Sequence, residues 1–379
     1  MRLCCTPAGL KASGGRIGHN QVWARDSMIT LLGARFVGDD GVQSALHRSL
    51  QTLKGAQSPT GAIPNNVDVA SGRANFRAYA DAGLWWIVGS SLIAPDPVAT
   101  EAILRWYECQ DVDQSGLLSM QESADWQDLF CTRGKGLYLN CLYVMALHAA
   151  GRGETADAAA DRINQYCWYR GDGDMLRHIS HTFSTESKQE QDSLGRKRWL
   201  PVKRSLVDQP YYLPYLGFRA AGEWFDCLGN LLAILSGVAN EQQSRTILDF
   251  IAARGLDARP LPALHPPVQP GDPDWRDYYG MLNLPHHYHN GGVWPFIGGF
   301  YVAALVHCGR MRDAERALER LGELNRAGRF NEWHHGETGV PMGVEHQAWS
   351  AGMYLCAEEC VRQGVSAPLA HARGSERRV

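Results

Sequence analysis

Apolar residues recur along most of the chain at positions i, i+3, i+4 and i+7, the spacing of an amphipathic α-helix. About eleven segments show this period, and the alternation typical of strands is nearly absent. Ten of the segments form pairs joined by short polar turns: 26–37 with 41–53, 78–91 with 97–110, 135–151 with 153–168, 224–238 with 240–253, and 293–308 with 310–326. A last helix is predicted over 345–363. The pattern therefore predicts an all-α protein.

Six longer stretches rich in Gly, Pro, Trp, His and acidic residues separate the helical pairs: 15–25, 55–77, 111–134, 170–222, 255–292 and 328–344. Helical hairpins with short turns on one side and long loops on the other predict a closed ring of inner and outer helices, an (α/α)6 toroid. Because function is usually carried on loops held by a rigid scaffold, the face with the long loops is the predicted site. A full ring needs a twelfth helix, for which the first fourteen residues or the tail can supply only a short substitute.

The toroid is expected to form one catalytic domain over residues 1–364. The segment 365–379 lacks apolar periodicity and is predicted to be a disordered tail.

Composition excludes several classes of partner. The formal net charge of −3 provides neither the basic footprint of a nucleic-acid-binding protein nor a cationic face for a membrane.

The ten Cys residues show no CxxC spacing, and most stand singly in apolar segments, which indicates the reduced cytoplasm rather than a disulfide framework. No hydrophobic signal core stands at the N-terminus, and the apolar run "AGLWWIVGSSLIAP" is too short and too polar to cross a bilayer. The oligomeric state is left open.

Carboxylates beside tryptophans mark two of the loops. Inverting glycoside hydrolysis needs one carboxylic acid and one carboxylate, roughly 6.5–9.5 Å apart and therefore from different loops. The third loop offers Asp125 and Asp128 around Trp126, and the sixth offers Glu332 beside Trp333, as well as Glu337. An apolar ring against a carboxyl raises its pKa, and aromatic faces stack on sugars. The competing interpretation is that Asp125 and Glu332 cap neighbouring helices.

Five motifs at the edges of the predicted loops read, in order, "GHNQVWARDSMITLLGA", "ADWQDLF", "EWFDCLGNLLAILSGVA", "HNGGVWPFIGGFYVAAL" and "NEWHHGETGVPMGVEHQAWSAGMYL". In this order they resemble the alkaline/neutral invertases and the amylo-α-1,6-glucosidase domain of glycogen-debranching enzymes. The resemblance covers most of the chain. It implies an inverting (α/α)6 glycosidase and is much less specific for the substrate.

Carried over by motif, the resemblance implies that an aspartate of the third loop is the general acid and that Glu332 is the general base. In the debranching pattern the acid follows an aromatic residue by two positions, which selects Asp128 after Trp126. The local sequence "SADW" keeps Asp125 as an alternative candidate for the acid. If the two aspartates lay on a helical turn, their i, i+3 spacing would place both side chains on one face.

The same resemblance implies a sugar-binding role for Arg25 and Asp26 of "WARDS", although a structural ion pair at a helix start is the competitor. Tryptophans and a glutamine from the same motifs are further expected to line the sugar site: Trp23, Trp126, Trp294, Trp333, Gln347 and Trp349.

The fourth to sixth loops contribute weaker candidates. Asp208, Gln209 and Tyr211 of "DQPYYLPYLGFR" are either subsite residues or parts of a connector that packs down. For His287 and His289, sugar hydrogen bonding and loop packing fit equally, and zinc is discounted because the Cys or HExxH context is missing.

His335 flanks Glu332 at a distance of three residues and is expected to orient the base.

The third loop also carries the spacing of a calcium-binding loop. Asp111, Asp113, Ser115 and Glu122 stand at positions 1, 3, 5 and 12, with Gly116 at position 6. No clear exit helix follows, and an Asp- and Gly-rich turn also simply ends a helix. A turn that positions the acid loop is favoured over a structural calcium site.

The expected function is a cytoplasmic inverting glycoside hydrolase that cleaves an α-glucosidic bond in a sucrose-like sugar or short α-glucoside and requires no cofactor. Two alternatives remain open at this stage: a sugar epimerase or isomerase of the N-acylglucosamine 2-epimerase type, which shares the toroid, and a non-catalytic sugar-binding toroid.

Overall fold

The computed structural model describes residues 1–15, 18–77, 80–169, 188–191, 193–200, 208–217 and 220–366. Within these ranges the chain forms eleven α-helices and a set of very short strands. The prediction of an all-α chain of paired helices is confirmed.

Six helices form a closed inner ring. They are α1 (Ala24–Ala34), α3 (Ala82–Ile93), α5 (Leu137–Ala149), α7 (Cys227–Leu235), α9 (Pro295–His307) and α11 (Ala348–Gln363). Each packs against the next, and α11 closes the ring on α1. Helices in this position are covered on all sides, so every residue of α1 and all but the last residue of α9 are buried.

The outer helices are α2 (Asp40–Gly55), α4 (Pro97–Glu108), α6 (Gly153–Cys167), α8 (Glu241–Ala253) and α10 (Met311–Ala327). Each buries one stripe, as α8 does with Ser244, Ile247, Leu248 and Ile251. The side chains of Asp39, Asp96 and Asn240 accept hydrogen bonds from backbone N–H groups at the starts of α2, α4 and α8.

The first fourteen residues pack against helices at both ends of the described chain. A hairpin of β1 (Cys5–Thr6) and β2 (Gly9–Leu10) packs on α2, where Ser49 Oγ accepts a hydrogen bond from Leu10 N at 2.8 Å. The next residues reach the start of α11, where Ala348 N donates to Ala12 O at 2.8 Å. This segment therefore links the outer helix α2 to the start of the inner helix α11.

The loops between the helices contain short strands. They are β3 (Gln21–Trp23), β4 (Asn66–Asp68), β5 (Ala74–Asn75), β6 (Lys135–Gly136), β7 (Lys188–Gln191), β8 (Lys197–Leu200), β9 (Tyr215–Gly217), β10 (Ala220–Ala221), β11 (Phe225–Asp226), β12 (Leu264–His265), β13 (Trp333–His334) and β14 (Pro341–Met342). All pairs are antiparallel, in the orders β3-β4-β5, β10-β9-β6, β7-β8, β11-β12 and β13-β14.

Three of these strands, β3, β6 and β11, run directly into α1, α5 and α7. The inner helices α5 and α7 therefore begin a few residues later than the apolar period predicts, because the first residues of the predicted segments are used in strand pairing. Three 3-10 turns complete the described elements: Arg2–Cys4, Leu256–Ala258 and Asp277–Met281.

Gly364 follows the last residue of α11 as its C-cap, and its φ of +67° suits glycine. Beyond it Ser366 is buried and its Oγ lies 3.0 Å from His307 Nδ1. The rest of the predicted tail lies outside the described residues.

Candidate active site

A pocket lies at the end of the ring where the inner helices begin. Twelve side chains line it: His19, Trp23, Arg25, Asp26, Trp126, Asp128, Tyr288, His289, Trp294, Glu332, Gln347 and Trp349. Trp23, Trp294 and Gln347 directly precede α1, α9 and α11. The structure thus brings residues from the first, third, fifth and sixth long loops together.

Arg25 forms the buried charged floor of this pocket. Its Nη1 lies 3.1 Å from Asp81 Oδ2, and its Nε lies 3.9 Å from Asp26 Oδ2. Tyr138 donates to Asp81 at 2.9 Å and accepts from Trp85 Nε1 at 2.7 Å. Although burial disfavours the charge, Asp81 and Asp26 hold the pKa of Arg25 well above its usual range. Arg25 is therefore a fixed cation.

Asp128 reaches the pocket from a tight turn of the third loop. Its side chain is 29% exposed, and its Oδ1 lies 3.7 Å from His289 Nε2. The turn closes with Phe130 N donating to Gln127 O at 3.1 Å, and Leu129 inside it has a φ of +60°. A non-glycine residue in this region is strained, and such strain concentrates at functional sites.

Asp125, the rival of Asp128, lies behind the pocket. It is 2% exposed and does not line the pocket. Its Oδ1 accepts hydrogen bonds from Gln127 N at 2.8 Å and Thr132 Oγ1 at 3.2 Å, so it stabilises the turn rather than a helix start. Burial raises its pKa to about 7. The two aspartates do not share a helical turn, and only Asp128 can reach a ligand in the pocket.

Glu332 enters the pocket from the sixth loop. It is buried, and its Oε2 accepts a hydrogen bond from Val344 N at 3.3 Å, so it does not cap a helix. Burial raises its pKa, and the neighbouring carboxylates of Asp26 and Asp128 act in the same direction. Gly343 passes so close to this carboxylate that a Cβ there would collide with it.

Several polar atoms at the pocket wall are buried and have no hydrogen-bond partner within the described part of the chain. They are the Nε1 atoms of Trp23, Trp126 and Trp349 and the Oε1 atom of Gln347. Buried polar groups in native proteins are nearly always paired. All four residues line the pocket.

The structure places some of the predicted site residues away from the pocket. Tyr211 packs in the core between Phe225 and Phe250, with ring centroids 5.1 and 4.9 Å away, and its hydroxyl donates to Glu223 O. Asp208 and Gln209 do not line the pocket either.

The fifth and sixth loops also differ in part from expectation. His287 and His335 pack together outside the pocket, with ring centroids 4.6 Å apart. His335 Nδ1 accepts from Glu337 N and Thr338 N, both at 3.2 Å, so this nitrogen is bound within its own turn. Trp333 is buried in β13 behind Tyr288.

The ligand set of the calcium hypothesis is not assembled. Asp111 Oδ1 and Oδ2 accept from Ser115 N and Gly116 N at 2.9 and 2.8 Å, as in a polar turn. Asp113 pairs with Lys135 at 2.5 Å, and Glu122 pairs with Arg276 at 2.9 Å.

Among the residues that the structure describes, no group of three or more His, Cys, Asp or Glu side chains is arranged to hold a metal.

Two pocket residues were missed by the sequence analysis. His19 stands in the first motif, four residues before Trp23, and the two rings lie edge to face at 6.1 Å. Tyr288 lies between the two histidines that were singled out. Both residues lie in or beside the sequence motifs that predict the site, but neither stands at a sequence spacing that would distinguish a ligand-binding residue from a packing residue.

No helix in the described ranges is both long and apolar enough to span a membrane.

Comparison with known proteins relates the chain to one group of sequences. Residues 211–364 match the family described as alkaline and neutral invertase. The probable alkaline/neutral invertase F of Arabidopsis thaliana is 34% identical over 330 residues, covering 74% of this chain and 64% of that one. The chloroplastic alkaline/neutral invertase E of the same plant is 26% identical over 361 residues, covering 78% and 53%. The chain thus spans between about half and two thirds of these relatives.

Among solved structures, a GH63 mannosylglycerate hydrolase from Thermus thermophilus, in complex with glucose, superposes with a TM-score of 0.63. It is 14% identical, and the match covers 93% of this chain and 96% of that one. A bacterial glucoamylase complexed with acarbose has a TM-score of 0.59 at 16% identity, covering 96% and 53%. At such low identity these likenesses show the fold alone, which is the predicted (α/α)6 toroid.

Proposed function

Because the chain is related in sequence to the alkaline and neutral invertases and has the (α/α)6 fold, we propose that it is a glycoside hydrolase. Its proposed reaction is the hydrolysis, with inversion, of an α-glucosidic bond in sucrose or a related short α-glucoside. The observation that carries the proposal is one pocket in which Asp128 and Glu332, from different loops, face the same space among tryptophans.

The proposed general acid is Asp128, which protonates the glycosidic oxygen as the bond to the leaving group breaks. Glu332 is the proposed base, which removes a proton from the water that attacks the anomeric carbon from the opposite face. The raised pKa of Glu332 suits a base, because a more basic carboxylate takes the proton of water more readily.

The glycone is proposed to bind on the charged floor of the pocket. The guanidinium of Arg25 and the carboxylate of Asp26 can hold adjacent sugar hydroxyls. The orphaned Nε1 groups of Trp23, Trp126 and Trp349 can donate to others. Since the glycone is a neutral small sugar, no cofactor is needed for either proton transfer.

The names of relatives include cytosolic, chloroplastic and mitochondrial forms, and the cytoplasmic location of this chain stays a prediction.

The proposal is tested by incubating the protein with sucrose, trehalose, isomaltose and glucosylglycerol and following the first product by proton NMR before mutarotation. Inversion predicts β-glucose as the first anomer released from an α-glucoside. Initial α-glucose would indicate a covalent intermediate and overturn the mechanism. An isomeric sugar without bond cleavage would indicate an epimerase, and binding without any turnover would indicate a sugar-binding toroid.

A further inference from the structure

His289 is held rigidly beside Asp128. Its side chain is 1% exposed and stacks on Trp294, with ring centroids 5.1 Å apart and planes inclined by 21°. Trp126 meets the same ring edge to face at 5.0 Å, and Tyr288 lies 4.1 Å away. An imidazole enclosed in this way has one orientation, so its two nitrogens have different neighbours.

The neighbours of the ring determine where its proton lies. His289 Nδ1 lies 2.8 Å from the main-chain carbonyl oxygen of Asp128, and a carbonyl can only accept, so Nδ1 carries the hydrogen. Burial lowers the pKa of His289 to about 4, which leaves the ring neutral at physiological pH. The unprotonated Nε2 therefore presents its lone pair towards Asp128 Oδ1, 3.7 Å away.

Asn283 fixes the same turn from the same loop. Its side chain is buried, its Oδ1 accepts from His289 N at 3.0 Å, and its Nδ2 donates to Leu129 O at 2.8 Å. The carbonyls of Asp128 and Leu129, two consecutive peptides at the strained part of the turn, are thus both bound by the fifth loop. The third loop reaches the pocket in a conformation that the fifth loop holds.

We propose that His289 and Asn283 are positioning residues for the acid step: His289 Nδ1 and Asn283 Nδ2 bind the main-chain carbonyls of Asp128 and Leu129 and so hold the turn that carries Asp128 in the pocket. The inference rests on the proposed function, because it assigns partners to the proposed acid. A catalytic group works only when it is held close to its productive geometry, and two hydrogen bonds to consecutive carbonyls fix the backbone that carries Asp128.

The first test removes or retains the Nδ1 donor of His289. His289→Gln loses the donor at the δ position, whereas His289→Asn retains one there. Each variant is assayed on the best α-glucoside from the substrate screen and on α-glucosyl fluoride, whose leaving group needs no proton. Asp128→Asn and Glu332→Gln are assayed in parallel as references.

For His289→Gln we expect kcat on the glucoside to fall on the order of 10²-fold, the scale of a misplaced catalytic group, with little change in KM, whereas His289→Asn should lose less. Activity on α-glucosyl fluoride should stay within a few fold of wild type, as in Asp128→Asn, whereas Glu332→Gln should lose both activities. Equal losses on the two substrates, or no loss on the glucoside, would overturn the assignment. Wild-type protein inactive on both substrates would instead refute the proposed function.

A second measurement does not depend on activity. With ¹⁵N-labelled histidine, the His289 signals, identified by their absence in His289→Asn, should show a protonated Nδ1 and an unprotonated Nε2 at physiological pH. The opposite tautomer, or an imidazolium, would contradict the proposed hydrogen bonding whatever the enzyme hydrolyses.

The proposed positioning role of Asn283 is tested against a matched control residue, Asn230. Asn230 is also a buried amide that bonds main-chain atoms, namely Tyr212 N and O and Asp226 O, but it holds the fourth loop, away from Asp128. Asn283→Leu and Asn230→Leu should lower Tm comparably. Only Asn283→Leu should lower kcat on the glucoside while sparing the fluoride, and equal kinetics in the two variants would remove Asn283 from the inference.

Discussion

At the residue scale, burial separates carboxyls that look alike in the sequence. Asp125 and Asp128 stand three positions apart, yet one is enclosed behind the pocket and the other faces it. Asp226, which directly precedes α7, is also enclosed, and burial raises its pKa to about 8. These buried acids affect stability, whereas Asp128 and Glu332 are the groups that can meet a ligand.

The raised pKa of Glu332 should appear in the pH dependence of the reaction. A general base must be ionised, so activity is lost as pH falls through the pKa of this carboxyl, and burial moves that loss to higher pH. We expect the acid limb of kcat/KM to lie above the usual glutamate value of about 4.3. Glu332→Gln should lower kcat by about 10²-fold or more while circular dichroism and Tm stay near wild type. Retained turnover in this variant would remove Glu332 from the mechanism.

Asp125 should make the fold less stable at neutral pH than at acidic pH. Its pKa is about 7 in the folded protein and about 3.9 in an unfolded chain, so the folded state binds more protons between these values. Stability from this group is therefore complete below about pH 4 and is lost as pH rises towards 7.

Asp125→Asn cannot ionise and still offers an oxygen to Gln127 N and Thr132 Oγ1. The variant should gain Tm relative to wild type, by more at neutral pH than at acidic pH, in thermal unfolding followed by circular dichroism. A difference independent of pH would show that Asp125 does not titrate in this range.

At the element scale, the third loop shows how one segment can match two patterns. Its early carboxylates have calcium spacing, but each is committed to a protein partner: Asp111 to backbone N–H groups, Asp113 to Lys135, and Glu122 to arginines. Hydrogen bonds from Lys135 and Ser115 outweigh burial and lower the pKa of Asp113 to about 2. Spacing along the chain indicates which oxygens can converge, and only neighbouring elements decide whether they do.

Chelation should therefore leave the protein unchanged. We expect the same Tm in EDTA, in added calcium and in buffer alone, because a ligand stabilises a fold only if it binds the native state. Differential scanning calorimetry of wild type and Asp111→Ala under the three conditions gives the comparison. A Tm that rises with calcium in wild type but not in Asp111→Ala would restore the calcium loop.

At the scale of the whole molecule, the ring closes where α1 and α11 cross. Gly33 of α1 and Gly352 of α11 stand at this contact, and a Cβ at position 33 would collide with the backbone of Gly352 and Cys356. Close approach of two inner helices therefore depends on the missing side chains. The pocket spans the same junction, since Arg25 and Asp26 belong to α1 and Trp349 to α11.

Gly33→Ala should destabilise the protein, because overpacking a tight contact costs about 1–3 kcal/mol. Gly55→Ala is the matched control. It lies at the end of the outer helix α2, and a Cβ there meets nothing within 4 Å. Urea unfolding should show a lower free energy of unfolding for Gly33→Ala and no loss for Gly55→Ala. Equal stabilities would mean that the two helices separate at little cost.

The sequence by itself determined the helical pairs, their alternation with long loops and the loops that carry the candidate acids. These features are local: a helix that faces a core repeats its apolar residues with its own period, and a buried inner helix is apolar all round. The motifs also identified most of the pocket wall, including Arg25, Trp126 and Glu332.

Only the tertiary structure decided which side chains of those loops meet. His289 contacts the peptide of Asp128 across 161 residues of chain, and Tyr211 turns into the core, one of the two placements that its sequence left open. In irregular loops the direction of a side chain depends on backbone angles such as the φ of +60° at Leu129. Contacts with distant loops determine those angles, and the hydrophobic periodicity of the sequence carries no information about them.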